Sequence, residues 1–224
     1  MASFEQHVSG AVITSGVVVT PLYSAGIVDM NQSLALLAFG IIGGVLPDMD
    51  SDNSRPVQIS FRILSIFLPL IAVLSLANSQ SVLSILGFWA VSSLILHFVV
   101  FRSFLNMTVH RGVFHSVPMG LLLGYLFIVL FRDIMKYDEL FAVLCGIFVF
   151  IGFIVHLLMD ELISLNALGL SIKKSFGTAL KFYDKNNLYG TGIIYLAILA
   201  LIFLYPIEFD IFVEIFESFE NIKL

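Results

Sequence analysis

The sequence predicts an all-α fold, a polytopic transmembrane helix bundle with about six to seven spans. Of the 224 residues, 59% are hydrophobic and only 12% are charged. The mean hydropathy of +1.02 exceeds what a water-soluble domain of this length can carry on its surface. Apolar runs near the roughly 20 residues needed to cross a bilayer recur along the whole chain.

These apolar runs define the predicted spans in chain order. They lie at about 8–28, 34–47, 61–78, 81–101, 117–131, 140–159 and 190–207. The runs at 34–47 and 117–131 are short for a full crossing, so one or both are expected to be tilted, half-inserted or buried against neighbours. We expect residues 1–207 to form the membrane domain and residues 208–224 a short acidic tail, either amphipathic or solvated. The N-terminal segment has no Lys or Arg before the first run and carries Glu5, so we expect it to be retained.

The basic residues predict which side of the membrane faces the cytoplasm. If the spans alternate, the N-terminus and the loops at about 48–60, 102–116 and 160–189 share one side. That side carries eight of the 11 Lys and Arg residues: Arg55, Arg62, Arg102, Arg111, Lys173, Lys174, Lys181 and Lys185. The positive-inside rule therefore makes it cytoplasmic. No basic patch with interleaved aromatic residues indicates nucleic-acid binding.

All five histidines and four of the aspartates lie on the same predicted side, although neither residue type was used to choose it. They are His7, His97, His110, His115, His156, Asp48, Asp50, Asp52 and Asp160. Ionisable groups within a membrane protein are costly unless they are paired, ligated or functional. A divalent metal ion is the partner that would compensate imidazoles and carboxylates together.

Three short segments carry most of these residues. In HLLMDE, His156 and Asp160 are four residues apart and share one helix face, as two metal ligands or as a hydrogen-bonded pair. In HRGVFHSVP, Ser116 and the following proline are typical of a helix start, which would let two histidines converge. In LPDMDS, Asp48 and Asp50 can point the same way in an extended segment.

An EF-hand calcium loop is excluded at LPDMDS. Counting from Asp48, the sixth position holds Asn53 where glycine is needed, and the twelfth holds Ile59 where a bidentate glutamate is needed. A solvated acidic turn that caps the following segment remains an alternative.

Together with His7, these three segments resemble the YdjM family of bacterial inner-membrane proteins, described as metal-dependent hydrolases and as LexA-binding. The resemblance covers roughly residues 5–185, including SIKKSFGTALKF. It implies a multi-pass inner-membrane protein whose active site faces the cytoplasm. The metal ligands that it implies are His7, Asp48, Asp50, His110, His115, His156 and Asp160.

This ligand set predicts a metal-dependent hydrolase. Seven ligands exceed the three that one catalytic zinc ion usually takes, so we expect two Zn²⁺ ions, with Mn²⁺ or Fe²⁺ as alternatives. Two ions about 3.5–4 Å apart, bridged by Asp48 or Asp50, would activate a water for attack on a phosphoester or another ester. Arg111 would bind a phosphate oxygen or anchor at the headgroups. Asp48, Asp50, Arg111 and Asp160 form the predicted catalytic set.

The predicted partners are membrane lipids and a lipid-like substrate, because a site at the cytoplasmic boundary can receive a headgroup from the leaflet. LexA binding follows from the family label alone, since no residue pattern indicates a repressor-docking surface. A divalent-metal transporter is the main rival function, because buried His and Asp also line ion paths. A scaffold in which the metal only pins helix ends is the third hypothesis.

Overall fold

The computed structural model describes residues 3–50, 65–66, 69–70, 81–100, 113–166, 171–172, 180–208, 210–211, 213 and 217. Residues 49–50, 99–100, 163–166 and 171–172 are described by their backbone alone. Within these residues the fold is helical, as predicted. Its α-helices are α1 Phe4–Ser24, α2 Met30–Val45, α3 Val82–Leu94, α4 Val117–Val129, α5 Glu139–Ser164 and α6 Leu188–Leu204.

Three helices continue into turns of different pitch. A 3-10 turn over Leu46–Asp50 follows α2, and π-helical turns over Ile95–Val100 and Leu130–Ile134 follow α3 and α4. The only extended pairing in the described residues is short: β1 (Leu165–Asn166) runs antiparallel to β2 (Ser171–Ile172).

The chain divides into two compact units. The first comprises Met1–Pro47 and Gly112–Leu224, and the second comprises Asp48–Arg111. The second unit contains α3, where Trp89 Nε1 donates a hydrogen bond to the Ile66 carbonyl oxygen at 3.0 Å. The sequence-based division at residue 207 stays a prediction.

Helix α5 is the central element of the first unit, and it packs against α1, α2 and α4. Towards the start of α5, the buried side chains of Leu144, Cys145 and Phe148 pack against α1 and α2. Towards its end, Phe153 and Leu157 join a second apolar cluster with α4 and α6. Because α5 is enclosed on several sides, polar side chains near its end lie among helices rather than in solvent.

The starts of α1 and α2 follow one capping rule. Ser3 and Asp29 each accept a hydrogen bond from the third residue of the helix, Gln6 or Gln32, whose side chain bonds back to the cap. These reciprocal bonds satisfy backbone N–H groups that have no partner within the helix. The start of α1 is therefore fixed close to His7.

Small residues bring the backbones of α2 and α5 into contact, as GIIGG at 40–44 predicts. A Cβ atom added at Gly152 would overlap with the Gly40 carbonyl oxygen, and one added at Gly43 would overlap with the Val149 carbonyl oxygen. Only glycine permits this approach, which is typical of helix pairs in membranes. It places the end of α2 beside the last turns of α5.

Three helices in the described part of the chain are long and apolar enough to cross a membrane: Met30–Asp48, Val117–Ile134 and Glu139–Leu162. The first two include the runs that looked short in the sequence, because the helices extend beyond them. Val82–Phe98 and Leu188–Leu204 are shorter apolar helices. The predicted span at 61–78 lies largely outside the described residues, so six to seven crossings stays a prediction.

Candidate metal centre

The last turns of α5 carry the two residues around which the candidate site is built. His156 and Asp160 are one helical turn apart on the same face, with exposed fractions of 0% and 5%. Their Nε2 and Oδ2 atoms are 4.0 Å apart. The shared helix face that the sequence predicts is therefore present, and it points into the protein.

Helix α1 contributes His7. Its buried residues follow one stripe at helical spacing: His7, Ala11, Ser15, Val19 and Leu22. The imidazole is 1% exposed, and its ring stacks on that of His156 with centroids 3.6 Å apart and planes 9° apart. His7 Nε2 lies 3.3 Å from Asp160 Oδ1.

His115 reaches the same carboxylate from the turn before α4. Its Nε2 is 3.9 Å from Asp160 Oδ2, and its ring lies 5.5 Å from that of His156 at an angle of 70°. Ser116 is the N-cap residue and Pro118 lies in the first turn, as the sequence predicts. The Ser116 hydroxyl does not cap the helix, however, but donates to the Val113 carbonyl oxygen.

A backbone carbonyl fixes the protonation of His156. The Gly44 oxygen lies 2.7 Å from His156 Nδ1. A carbonyl oxygen only accepts hydrogen bonds, so Nδ1 must carry the proton, and in the neutral ring Nε2 then presents a lone pair. Metal-binding histidines commonly donate their second nitrogen to a backbone carbonyl in this way. The close contact of α2 and α5 supplies this arrangement.

The electrostatics of the cluster favour a cation. In the neutral form of His156, the Nε2 lone pair and the Asp160 carboxylate are two acceptors that face each other. Protonating His156 would turn this contact into an ion pair, but it would bury an imidazolium at 0% exposure. Neither ring nitrogen of His7 makes a hydrogen bond of good geometry within the described residues. Buried polar atoms of this kind need a partner.

The distances also fit metal coordination. Two atoms bound to one zinc ion at about 2.0–2.2 Å lie roughly 3.3–3.5 Å apart in a tetrahedral site, and at most about 4.4 Å apart. Of the three imidazole-to-carboxylate distances, 3.3 Å matches the tetrahedral value, and 3.9 and 4.0 Å lie below the upper limit. Candidate ligand atoms of His7, His156 and Asp160 all lie within 4.8 Å of one another. These residues can therefore hold a divalent ion.

The structure brings together four of the predicted site residues: His7, His115, His156 and Asp160. The other predicted site residues stay predictions. Asp48 is the first residue of the second unit, and Asp50 is described by its backbone alone in the same 3-10 turn. His110 and Arg111 lie outside the described residues. His97 belongs to the second unit, where its Nδ1 is 3.5 Å from Ser65 Oγ.

Sequence reasoning missed the role of Gly44. Its carbonyl oxygen orients His156, whereas the small residues of GIIGG at 40–44 by themselves indicate only close helix packing. The only signal in the sequence was the run of small residues, which lets a neighbouring side chain approach the backbone. Which carbonyl meets which imidazole depends on the helix register.

One family model matches most of the chain. Residues 1–209 match the family model described as YdjM inner membrane protein. The chain belongs to the YdjM family. Neither the curated proteins nor the solved structures gave a match.

The matched range of the YdjM family model includes all four clustered residues. The match ends at residue 209, close to the start of the predicted tail at 208. The family description refers to the inner membrane, and the three long apolar helices agree with membrane association. The multi-pass arrangement and the cytoplasmic orientation of the site stay predictions.

Proposed function

We propose that this protein is a membrane-embedded, metal-dependent hydrolase that cleaves a phosphoester or another ester of a lipid-like substrate. The observation that carries the proposal is the buried carboxylate of Asp160, which lies within 3.3–4.0 Å of three imidazoles. The clustered residues would hold a divalent ion, which would supply Lewis acidity and lower the pKa of a bound water. Nitrogen and oxygen ligands without a thiolate suit zinc, manganese or iron.

The residues of the cluster have distinct roles in this proposal. Asp160 Oδ1 faces His7, while Oδ2 faces His115 and His156. A carboxylate with its oxygens turned towards different imidazoles supports two ions rather than one. Gly44 holds the His156 ring so that Nε2 stays available as a ligand.

Further ligands complete the proposed active site. Asp48, Asp50 and His110 are proposed to bind the metal from the segments that follow α2 and α3. Arg111 is proposed to bind a phosphate oxygen of the substrate, because a guanidinium matches phosphate geometry. A substrate at a membrane boundary would then be a lipid whose headgroup reaches the cluster from the cytoplasmic leaflet.

A structural metal site is the second candidate function. The four clustered residues are themselves enough to fill one tetrahedral zinc ion, which is typical of closed structural sites. Such a site would hold α1, α4 and α5 together without catalysis. The two functions differ in whether a coordination position stays open to water.

The test uses the full chain purified in detergent. Bound metal is measured by elemental analysis, and hydrolysis is followed with phospholipid and phosphomonoester substrates. The variants are His156→Ala and Asp160→Asn, and the control is Glu139→Gln, which changes an acidic residue at the other end of α5. The proposal expects loss of both metal and hydrolysis in the two site variants, and neither loss in the control.

Each other outcome has a definite meaning. Wild-type protein that binds metal but cleaves none of these substrates would support the structural site. Metal movement across sealed vesicles, abolished by Asp160→Asn, would support the transporter. Equal metal content in wild type and both site variants would show that the cluster is not the metal site.

A further inference from the structure

His115 differs from the other clustered residues because it does not lie on a helix. It lies in the turn immediately before α4, and its position depends on what holds that turn in place. The backbone N–H of Val117, in the first turn of α4, has no acceptor within the helix. It donates instead to the Lys181 carbonyl oxygen at 3.0 Å.

Lys181 is itself held by a buried carboxylate. Its ammonium group lies 3.1 Å from Asp184 Oδ2, and the Asp184 side chain is 10% exposed. Asp184 Oδ1 accepts a hydrogen bond from the Asn186 backbone N–H at 3.0 Å. The Asp184 N–H donates to Thr191 Oγ1 at 3.1 Å, which ties the segment to α6.

Two more contacts fix this segment against the helices. The Tyr195 hydroxyl of α6 donates to the Phe182 carbonyl oxygen at 3.0 Å. Leu180 packs against the apolar cluster that contains Val113 and Val117 on either side of His115. The segment 180–184 is thus joined to α6 on one side and to the His115 turn on the other.

We propose that the Lys181–Asp184 ion pair is a positioning element that holds His115 in place for metal binding. The proposal rests on the proposed function, because it takes His115 to be a metal ligand. Without the ion pair, the Lys181 carbonyl would still be held by the packing of Leu180 and the bond to Phe182, but the anchor at Val117 would be weaker. His115 would then sample orientations in which Nε2 points away from Asp160.

The control is a second ion pair in the same unit. Arg132 Nη1 lies 3.0 Å from Glu139 Oε1, and the Glu139 side chain is 30% exposed. Glu139 begins α5, about 31 Å along the helix axis from Asp160 at ~1.5 Å per residue. Glu139→Gln therefore removes an ion pair without reaching the cluster.

The experiment measures the apparent Kd for Zn²⁺ of the full chain in detergent, by competition with a chelating dye. Asp184→Asn is expected to weaken binding by about tenfold or more, as for other groups that orient metal ligands. Glu139→Gln is expected to leave the Kd unchanged. If Asp184→Asn does not fold, Lys181→Met is measured instead, because it removes the ion pair and keeps the carbonyl that accepts from Val117. It is expected to weaken zinc binding to a similar extent.

A double-mutant cycle separates positioning from general destabilisation. In a His115→Ala background, Asp184→Asn should weaken zinc binding no further, because its effect passes through His115. An equal additional loss in that background would overturn the proposal. So would a wild-type Kd in both Asp184→Asn and Lys181→Met.

Failure of the proposed function would look different. If wild-type protein bound no zinc, or if His115→Ala bound it as tightly as wild type, the ligand assignment itself would be wrong, and the positioning role would fall with it. Normal zinc binding that depends on His115 but not on Asp184 would overturn the positioning role alone.

Discussion

Replacing Asp160 with Asn should remove most of the stabilisation that a metal ion gives this protein. Apparent binding free energies of about 10–16 kcal/mol are found for structural zinc in zinc-finger peptides at pH 7, which also have four ligands. Asp160 is the one carboxylate among the four clustered residues, and an equal share gives it about 3 kcal/mol. This corresponds to a roughly 100-fold weaker Kd.

The assay is thermal unfolding of the detergent-solubilised protein with and without zinc. At a free zinc concentration about 100 times the wild-type Kd, linkage predicts a stabilisation of about 2.7 kcal/mol. For a chain of this size, that raises the Tm of wild type by roughly 5–11 °C. Asp160→Asn, whose Kd would lie near that concentration, should gain about 0.4 kcal/mol, which is roughly 1–2 °C.

Two results would refute this reasoning. A zinc-dependent rise in Tm equal to that of wild type would show that Asp160 is not a ligand. The same loss of the rise in Glu139→Gln would show that the effect does not come from the cluster. The second result would point instead to a general dependence of zinc binding on the integrity of α5.

Three further predictions concern the fold. Gly152→Ala should lower the free energy of unfolding by about 1–3 kcal/mol through overpacking against α2. Gly16→Ala should raise it by about 0.5–1 kcal/mol, because no atom lies within 4 Å of an added Cβ. Unfolding in denaturant measures both changes, and equal effects would contradict the packing argument. Phe148→Ala should lower the free energy of unfolding by about 3–5 kcal/mol in the same assay, because Phe148 is 0% exposed. A decrease below about 1 kcal/mol would contradict its place in the core. Burial opposes ionisation of Asp184, but hydrogen bonds from the Asn186 N–H and the Lys181 ammonium hold its pKa below the ordinary value of 3.8. The stability that the Asp184 carboxylate gives the fold is therefore complete above pH 3.8 and is lost as the pH falls through the lowered pKa. The Tm difference between wild type and Asp184→Asn should then shrink at low pH, and a constant difference would contradict this.

Much of the fold follows from apolar runs, because helix length and burial depend on local composition. The run at 140–159 predicts α5, and its HLLMDE end predicts that His156 and Asp160 share a face. The limits of helices are less predictable. The run at 34–47 looked short because Asn31 and Gln32 interrupt the apolar pattern, yet they belong to the capped first turn of α2.

The site was predictable in membership more than in geometry. The sequence places His7 and His115 on the same predicted side of the membrane as His156 and Asp160. A shared side does not predict the distances between these residues. That Asp160 is the carboxylate common to three imidazoles depends on how α1, α4 and α5 pack together. The Lys181–Asp184–Thr191 connection could not be predicted, because it depends on the backbone path of a loop with no periodic pattern.

Because His7 stacks on His156, the site cannot assemble until the chain has been synthesised beyond residue 156. The two histidines are about 150 positions apart in the sequence. At about 5–20 residues per second, His7 is therefore synthesised roughly 7–30 s before His156. During that interval the buried stripe of α1, which includes His7 and Ser15, lacks its packing against α5. The α1 part of the site is therefore present in the growing chain before its partners on α5 exist.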